Sequence, residues 1–269
     1  MQMTANPGGG RTYPPKPPTV YFFGTCLVDQ FAPGAGLDAV RLLEREGIAV
    51  RFPEQQTCCG QPAYTSGYPD EARKVARLQL QLFAEPLPIV VPSGSCAGMM
   101  RHHYPKLFAD DPVWGARARE MAGRVFEFTE FLVHVVGYQP QDRGAPCTVA
   151  VHTSCSARRE MGSHVSSEAL VGGLANVKVV SQARKEECCG FGGTFAIRHP
   201  EISEAIVNDK VTALRDSGAE AVVSADCGCL FNILGHAAHL DQVAGRKQAS
   251  LPGEHIASFL WHRTQGEQP

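Results

Sequence analysis

The sequence has no run of about 18 consecutive apolar residues, which excludes a long hydrophobic membrane helix. It also lacks a dominant charge: 25 Lys and Arg face 27 Asp and Glu, a formal net charge of −2. Without a basic field, no nucleic-acid partner is expected. The opening stretch MQMTANPGGGRTYPPKPP is rich in Gly and Pro and lacks the apolar core of a secretory leader. Residues 1–17 are therefore expected to be a flexible tail, and the protein cytoplasmic. No Walker lysine follows the Gly-rich stretches, no Gly-x-Gly-x-x-Gly follows a strand, and no Ser-His-Asp set stands out. Cysteine is too scarce for a disulfide scaffold: ten in 269 residues, against the roughly 8–10% typical of such chains. Cytoplasmic thiols stay reduced, so these cysteines call for packing, metal or redox roles.

What is present is a duplication. QQTCCGQPA at 55–63 reappears as KEECCGFGG at 185–193. Cys26 matches Cys155, 129 positions later; Cys58 and Cys59 match Cys188 and Cys189 at 130; Pro69 matches Pro200 at 131. TEFLVH at 129–134 is echoed by ASFLWH at 257–262. The repeat is too long for a solenoid unit of about 20–50 residues. It implies two homologous domains, 18–138 and 146–265, joined near GYQPQDRGAP.

Both halves alternate strand and helix patterns. TVYFFGT and CTVAVHT read as strands that run to a cysteine, and GLDAVRLLEREG as an amphipathic helix closed by Gly47. Pro69 and Pro200 open further helices, with acidic residues in the first turn. In the first, Ala72, Val75, Ala76, Leu80 and Phe83 share a face; in the second, Val207, Val211 and Leu214 do. LPIVVPSGSC and AEAVVSADCGC are strands that again run to cysteines. The expected fold is α/β: two tandem Rossmann-like domains with mainly parallel sheets. Ligands in such sheets sit beyond the carboxyl ends of strands, where Cys26, Cys96, Cys155, Cys227 and Cys229 fall.

Adjacent cysteines chelate one zinc ion poorly, because both sulfurs must leave one peptide unit at suitable angles. An iron–sulfur cluster offers several iron atoms, so neighbouring thiolates can bind different ones. Glycine after the pair permits positive φ and lets the backbone approach. The candidate ligands are Cys26, Cys58, Cys59, Cys96, Cys155, Cys188, Cys189, Cys227 and Cys229. Cys147 has no counterpart in the first half and reads as a packing residue. His236 and His239 share a helical face with surface or core roles. His102 and His103 are candidate substrate or partner contacts, His152 can tune the Cys155 site, and Arg158 and Arg159 can hold an anion or balance a cluster's negative charge.

The layout Cys-x(31)-Cys-Cys-Gly-x(35)-Cys, repeated as Cys-x(32)-Cys-Cys-Gly, resembles the cysteine-rich CCG domain family. That domain occurs in tandem in a subunit of heterodisulfide reductase and in iron–sulfur subunits of glycolate oxidase and anaerobic glycerol-3-phosphate dehydrogenase. YFFGTCLVDQ, TCCGQPAYTSGY, PSGSCAGMMRHHYP, CCGFGGTFA and CLFNILG are most similar to the family's lactate-utilization members. The resemblance implies iron–sulfur binding, of [4Fe–4S] type with one cluster per domain, and a part in oxidising L-lactate, a small 2-hydroxy acid, to pyruvate. It also implies a ferredoxin-like iron–sulfur partner subunit and a third lactate-utilization subunit. A heterodisulfide- or glycolate-type electron-transfer subunit and a zinc-bound scaffold are the alternatives. Related domains end their motif in Cys-x-x-Cys; here the first half has Ser93 and Met99 at those spacings from Cys96, and the second has Cys-x-Cys. Cys227 keeps the offset of 131 from Cys96, whereas Cys229, within CLFN, looks more like the usual ligand, so both stay candidates.

Overall fold

The structure, a computed structural model, describes residues 11–246 and 251–265. Each half builds one four-stranded, all-parallel sheet. The first contains β1 (Thr19–Phe22), β2 (Ala49–Arg51), β3 (Ile89–Val91) and β4 (Val125–Glu127), in the order β2-β1-β3-β4. The second contains β5 (Cys147–His152), β6 (Val177–Val180), β7 (Ala221–Ser224) and β8 (Gly253–His255), in the order β6-β5-β7-β8. Strands covered on both faces need continuous apolar runs, and Ile89, Val90 and Val91 are all fully buried. In each sheet the chain leaves the first strand to one side and returns on the other. That reversal opens a crevice beyond the carboxyl ends of β1 and β3, and of β5 and β7.

The proline-led helices form as expected, at Pro69–Leu82 and Pro200–Asp216. Ala72, Ala76, Leu80 and Phe83 are buried, as are Val207, Val211 and Leu214, while Val75 is only half-buried. The helix expected over 36–47 runs over Pro33–Arg45, and Gly47 follows it with φ +78°. The strands stop short of the cysteines: β1 ends at Phe22 and Cys26 opens the helix Cys26–Phe31, while Cys96 lies in the short helix Gly94–Gly98. The chain expected to trail loosely over 1–17 is pinned from Arg11 onward. Arg11 donates to Glu130 Oε1 (3.0 Å) and to the carbonyl of Val125 (3.0 Å), and Tyr13 Oη to Glu130 Oε1 (3.2 Å). Residues 1–10 lie outside the described residues.

The TEFLVH and ASFLWH echo marks two helices that each pack on the other half. The helix Ile256–Gln265, after β8, packs on Pro33–Arg45 of the first half. Ser258 Oγ donates to Asp38 Oδ2 (2.7 Å) and Arg45 to Thr264 Oγ1 (2.8 Å) across that seam. The helix Phe128–Phe131, after β4, packs on His164–Gly172 of the second half. One apolar core therefore joins Phe22, Leu42 and Phe131 to Val151, Leu170 and Leu260. The segment between the halves is clamped by Arg263, whose guanidinium donates to both oxygens of the Asp142 carboxylate at 2.8 Å.

Candidate metal centre

Thr25 enters the site with φ +56°, the one positive φ of a non-glycine among the described residues. Its hydroxyl accepts the Val28 N–H at 3.3 Å, starting the helix on which Cys26 sits. Strain of this kind persists where the surroundings over-determine it, here beside a thiol. In the second half Ser154 Oγ accepts the Ala157 N–H at 3.2 Å and sets Cys155 in the matching place.

The two Cys-Cys-Gly turns share one geometry. Gly60 and Gly190 both have φ +86°. This left-handed turn folds the glycine N–H back onto the first cysteine: Gly60 N to Cys58 Sγ at 3.4 Å, Gly190 N to Cys188 Sγ at 3.3 Å. A side chain at 190 would also bring its Cβ to 2.7 Å from the Ser203 carbonyl. The second cysteine of each pair turns inward, where Cys59 Sγ lies 3.4 Å from Cys96 Sγ and Cys189 Sγ lies 3.0 Å from Cys229 Sγ. The carbonyl of that second cysteine is held from behind, by Tyr104 Oη on Cys59 and Asn232 Nδ2 on Cys189, both at 2.8 Å.

Strand register settles which late cysteine corresponds to Cys96. Tyr21 pairs with Ile89, and its counterpart Ala150 pairs with Val222. Ile89 therefore corresponds to Val222, an offset of 133, which places Cys229 on Cys96 and Asp226 on Ser93. Ser93 and Asp226 do stand at the same position, one residue ahead of their helices. The offset is 131 at the prolines and 133 at the strands: Pro69 precedes Ile89 by 20 residues, Pro200 precedes Val222 by 22. Cys227 takes the place of Gly94 and is an additional thiol. Burial first, then Asp226, Cys96 and Cys229, pushes it up to about 12.

All nine candidate cysteines line one cavity of about 330 Å³ between the halves. Within it, Cys58 and Cys188 are held well below the usual thiol range, by hydrogen bonds from Cys26 and Cys155 first and from Cys59 and Cys189 next. The same hydrogen bonds, with burial, push Cys26 and Cys155 up. Ser93 Oγ (2.9 Å) and the Ser95 N–H (3.0 Å) donate to Asp226 Oδ1 across the halves, while Asp226 Oδ2 has no protein partner.

The backing of the two sites differs. Behind the second, His152 has no partner on either ring nitrogen, and its ligand atom lies within 4.8 Å of those of Cys189 and Cys229. Burial, then Lys210, pushes His152 down to about 4. Lys210 is 1% exposed and donates to the Arg184 carbonyl. The corresponding first-half residues are Phe23 and Gln79, buried and uncharged. Lys210 is not among the sequence candidates, although its place beside Val207, Val211 and Leu214 on the buried face signals it. Asp226, directly before the Cys-x-Cys, is likewise absent from them.

Of the other sequence candidates, Cys147 opens β5 away from the cavity, with Arg263 Nη1 3.6 Å from its sulfur. His236 and His239 lie on the helix Cys227–Val243 with ring centroids 6.4 Å apart, and His236 Nε2 lies 3.4 Å from Asn208 Oδ1. His103 bridges the halves through Glu160 (2.8 Å) and contacts Tyr64 Oη (3.3 Å). His102, Arg158 and Arg159 line a separate cavity.

Two parallel α/β repeats that present thiols at their switch points define a tandem cysteine-rich protein, with a donor set suited to a thiophilic metal or cluster. The cysteine-rich domain model CCG matches residues 20–101 and 149–234. The chain is 43% identical over 243 residues to lactate utilization protein A of Shouchella clausii, covering 90% of this chain and 98% of that one. It is 41% identical to the Bacillus subtilis protein of the same name, over 90% of this chain and 98% of that one. It belongs to the cysteine-rich CCG domain family and, within it, to the lactate utilization protein A family. Among solved structures, a hypothetical protein from Helicobacter pylori shares the fold at TM-score 0.69 and 10% identity, over 94% of this chain and 50% of that one.

Proposed function

We propose that the chain is the iron–sulfur redox subunit of a complex that oxidises L-lactate to pyruvate, with one [4Fe–4S]-type cluster held by each half. The observation that carries this reading is the pairing of two equivalent thiol sets on one cavity: Cys26, Cys58, Cys59 and Cys96, and Cys155, Cys188, Cys189 and Cys229. Cys227 stands between them as a ninth thiol available to the second site. When bound, such a cluster supplies one-electron redox chemistry. The chain supplies soft donors, with Cys58 and Cys188 held below the usual thiol range, and glycine turns that place backbone N–H groups on sulfur. The lactate utilization name of the relatives supports the substrate. The resemblance supports a ferredoxin-like iron–sulfur partner subunit and a third lactate-utilization subunit, all in the cytoplasm, where thiols remain reduced.

Anaerobic purification followed by iron, acid-labile sulfide and zinc analysis tests this. The expected protein is brown, with iron and sulfide in similar amounts. A colourless protein with stoichiometric zinc overturns the redox reading and makes the chain a zinc-bound scaffold.

A further inference from the structure

The two turns that lead into the Cys96 and Cys229 helices meet at the seam between the halves. They are equivalent by register, Pro92 and Ser93 in the first half, Ala225 and Asp226 in the second. His255, buried at the end of β8, holds them together. Its Nε2 donates to the Pro92 carbonyl at 3.1 Å and to the Ala225 carbonyl at 3.0 Å. Its Nδ1 accepts the Ala257 N–H at 3.2 Å, which leaves the ring hydrogen on Nε2.

An aspartate directly ahead of a helix ordinarily accepts N–H groups from the first turn of that same helix. Asp111 does so, taking those of Val113 (3.0 Å) and Trp114 (2.9 Å). Asp226 makes no such bond to the helix Cys227–Val243. Its Oδ1 instead crosses the seam and accepts the Ser95 N–H (3.0 Å) and the Ser93 hydroxyl (2.9 Å). Ser93 Oγ in turn accepts the Cys96 N–H at 3.4 Å. One residue from each half therefore caps the first turn of the Cys96 helix. That helix also lies tight on the second half, since a Cβ at Gly94 would stand 2.5 Å from that of Ala157.

We infer that Asp226 is a positioning residue shared by the two sites: it fixes the first half's Cys96 helix from the second half and sets one carboxylate between the two thiol sets. The inference rests on the cluster reading above. The carboxylate is tied to the second set by the chain, directly before Cys227 and three residues ahead of Cys229. It is tied to the first set by its hydrogen bond to Ser95, next to Cys96. Negative charge beside a cluster disfavours an added electron, and cluster potentials follow the local charge. Asp226 therefore lowers the potential of both sites, whereas Lys210 stands behind the second alone.

Iron analysis of the anaerobically purified chain in two backgrounds tests this. Cys188→Ser leaves the first site as the main holder of iron, and Cys58→Ser leaves the second. Asp226→Ala should remove most of the remaining iron from the Cys188→Ser chain and little from the Cys58→Ser chain, although residue 226 belongs to the second half. Retained second-site iron shows that the chain still folds. Asp226→Asn keeps an acceptor oxygen without the charge, so it should restore first-site iron. Redox titration of that single variant should show both midpoint potentials raised. Iron lost equally from both sites, iron lost mainly from the second, no restoration by asparagine, or two unmoved potentials would each overturn the inference. A parent chain without iron defeats the cluster reading itself. An iron-loaded parent with any of those results defeats only the role of Asp226.

Discussion

Glu127 ends β4 and caps the helix that crosses to the second half, and it is fully buried. Its Oε2 accepts the Thr129 hydroxyl (2.5 Å) and the N–H groups of Thr129 (2.9 Å) and Glu130 (3.1 Å), while Oε1 has no partner. Burial, opposed by those hydrogen bonds, pushes its pKa from 4.5 up to about 8. Between those values the unfolded carboxyl is ionised and the folded one keeps its proton, so folding takes up a proton. The stability this contributes is complete below pH 4.5 and is lost as pH rises through 8. At about 1.4 kcal/mol per pH unit, the loss reaches about 5 kcal/mol at the top of that window. Glu127→Gln has nearly the same shape, keeps the capping oxygen and cannot ionise. Near pH 5 it should match the parent to within about 1–2 kcal/mol, the scale of one unsatisfied amide N–H. By pH 8 it should be the more stable by several kcal/mol. Anaerobic urea denaturation at both pH values, followed by tryptophan fluorescence, measures the difference, and groups common to both proteins cancel. A stability gap that is the same at pH 5 and pH 8 would refute the reasoning, because the carboxyl would then be ionised throughout.

Three further outcomes are expected. Cys188→Ser should lose second-site iron and lactate-dependent growth with the fold kept, while Cys147→Ser, outside the cavity, leaves both near normal; equal behaviour of the two variants counts against a cluster site. Cys229→Ser should cost more iron than Cys227→Ser, because strand register places Cys229 on Cys96; iron analysis with the order reversed would make Cys227 the ligand. Lys210→Gln installs the first half's residue behind the second site, so one of two midpoint potentials should fall while the other stays, as followed by redox titration. Two unmoved potentials would mean that Lys210 carries no charge the site feels.

The sequence by itself determined the duplication, the α/β class, the proline-led helices and the nine cysteines of interest. These are local: a proline start, a face repeating every three to four residues, and a Cys-Cys-Gly turn are written within a dozen positions. The three-residue strands β2, β4 and β8 were not legible, because so short a run carries no period and is a strand only through its neighbours in the sheet. The partner of Cys96 was not legible either. Two additional residues between Pro200 and β7 shift the offset from 131 to 133, and only hydrogen-bonded register reveals where the shift is absorbed. Nor could sequence tell that TEFLVH and ASFLWH each pack on the opposite half, which joins the two repeats through a shared apolar cluster. Lys210 and His152 sit beneath one thiol set and not the other because long-range packing assigns what lies behind a buried face, and spacing along the chain carries no record of it.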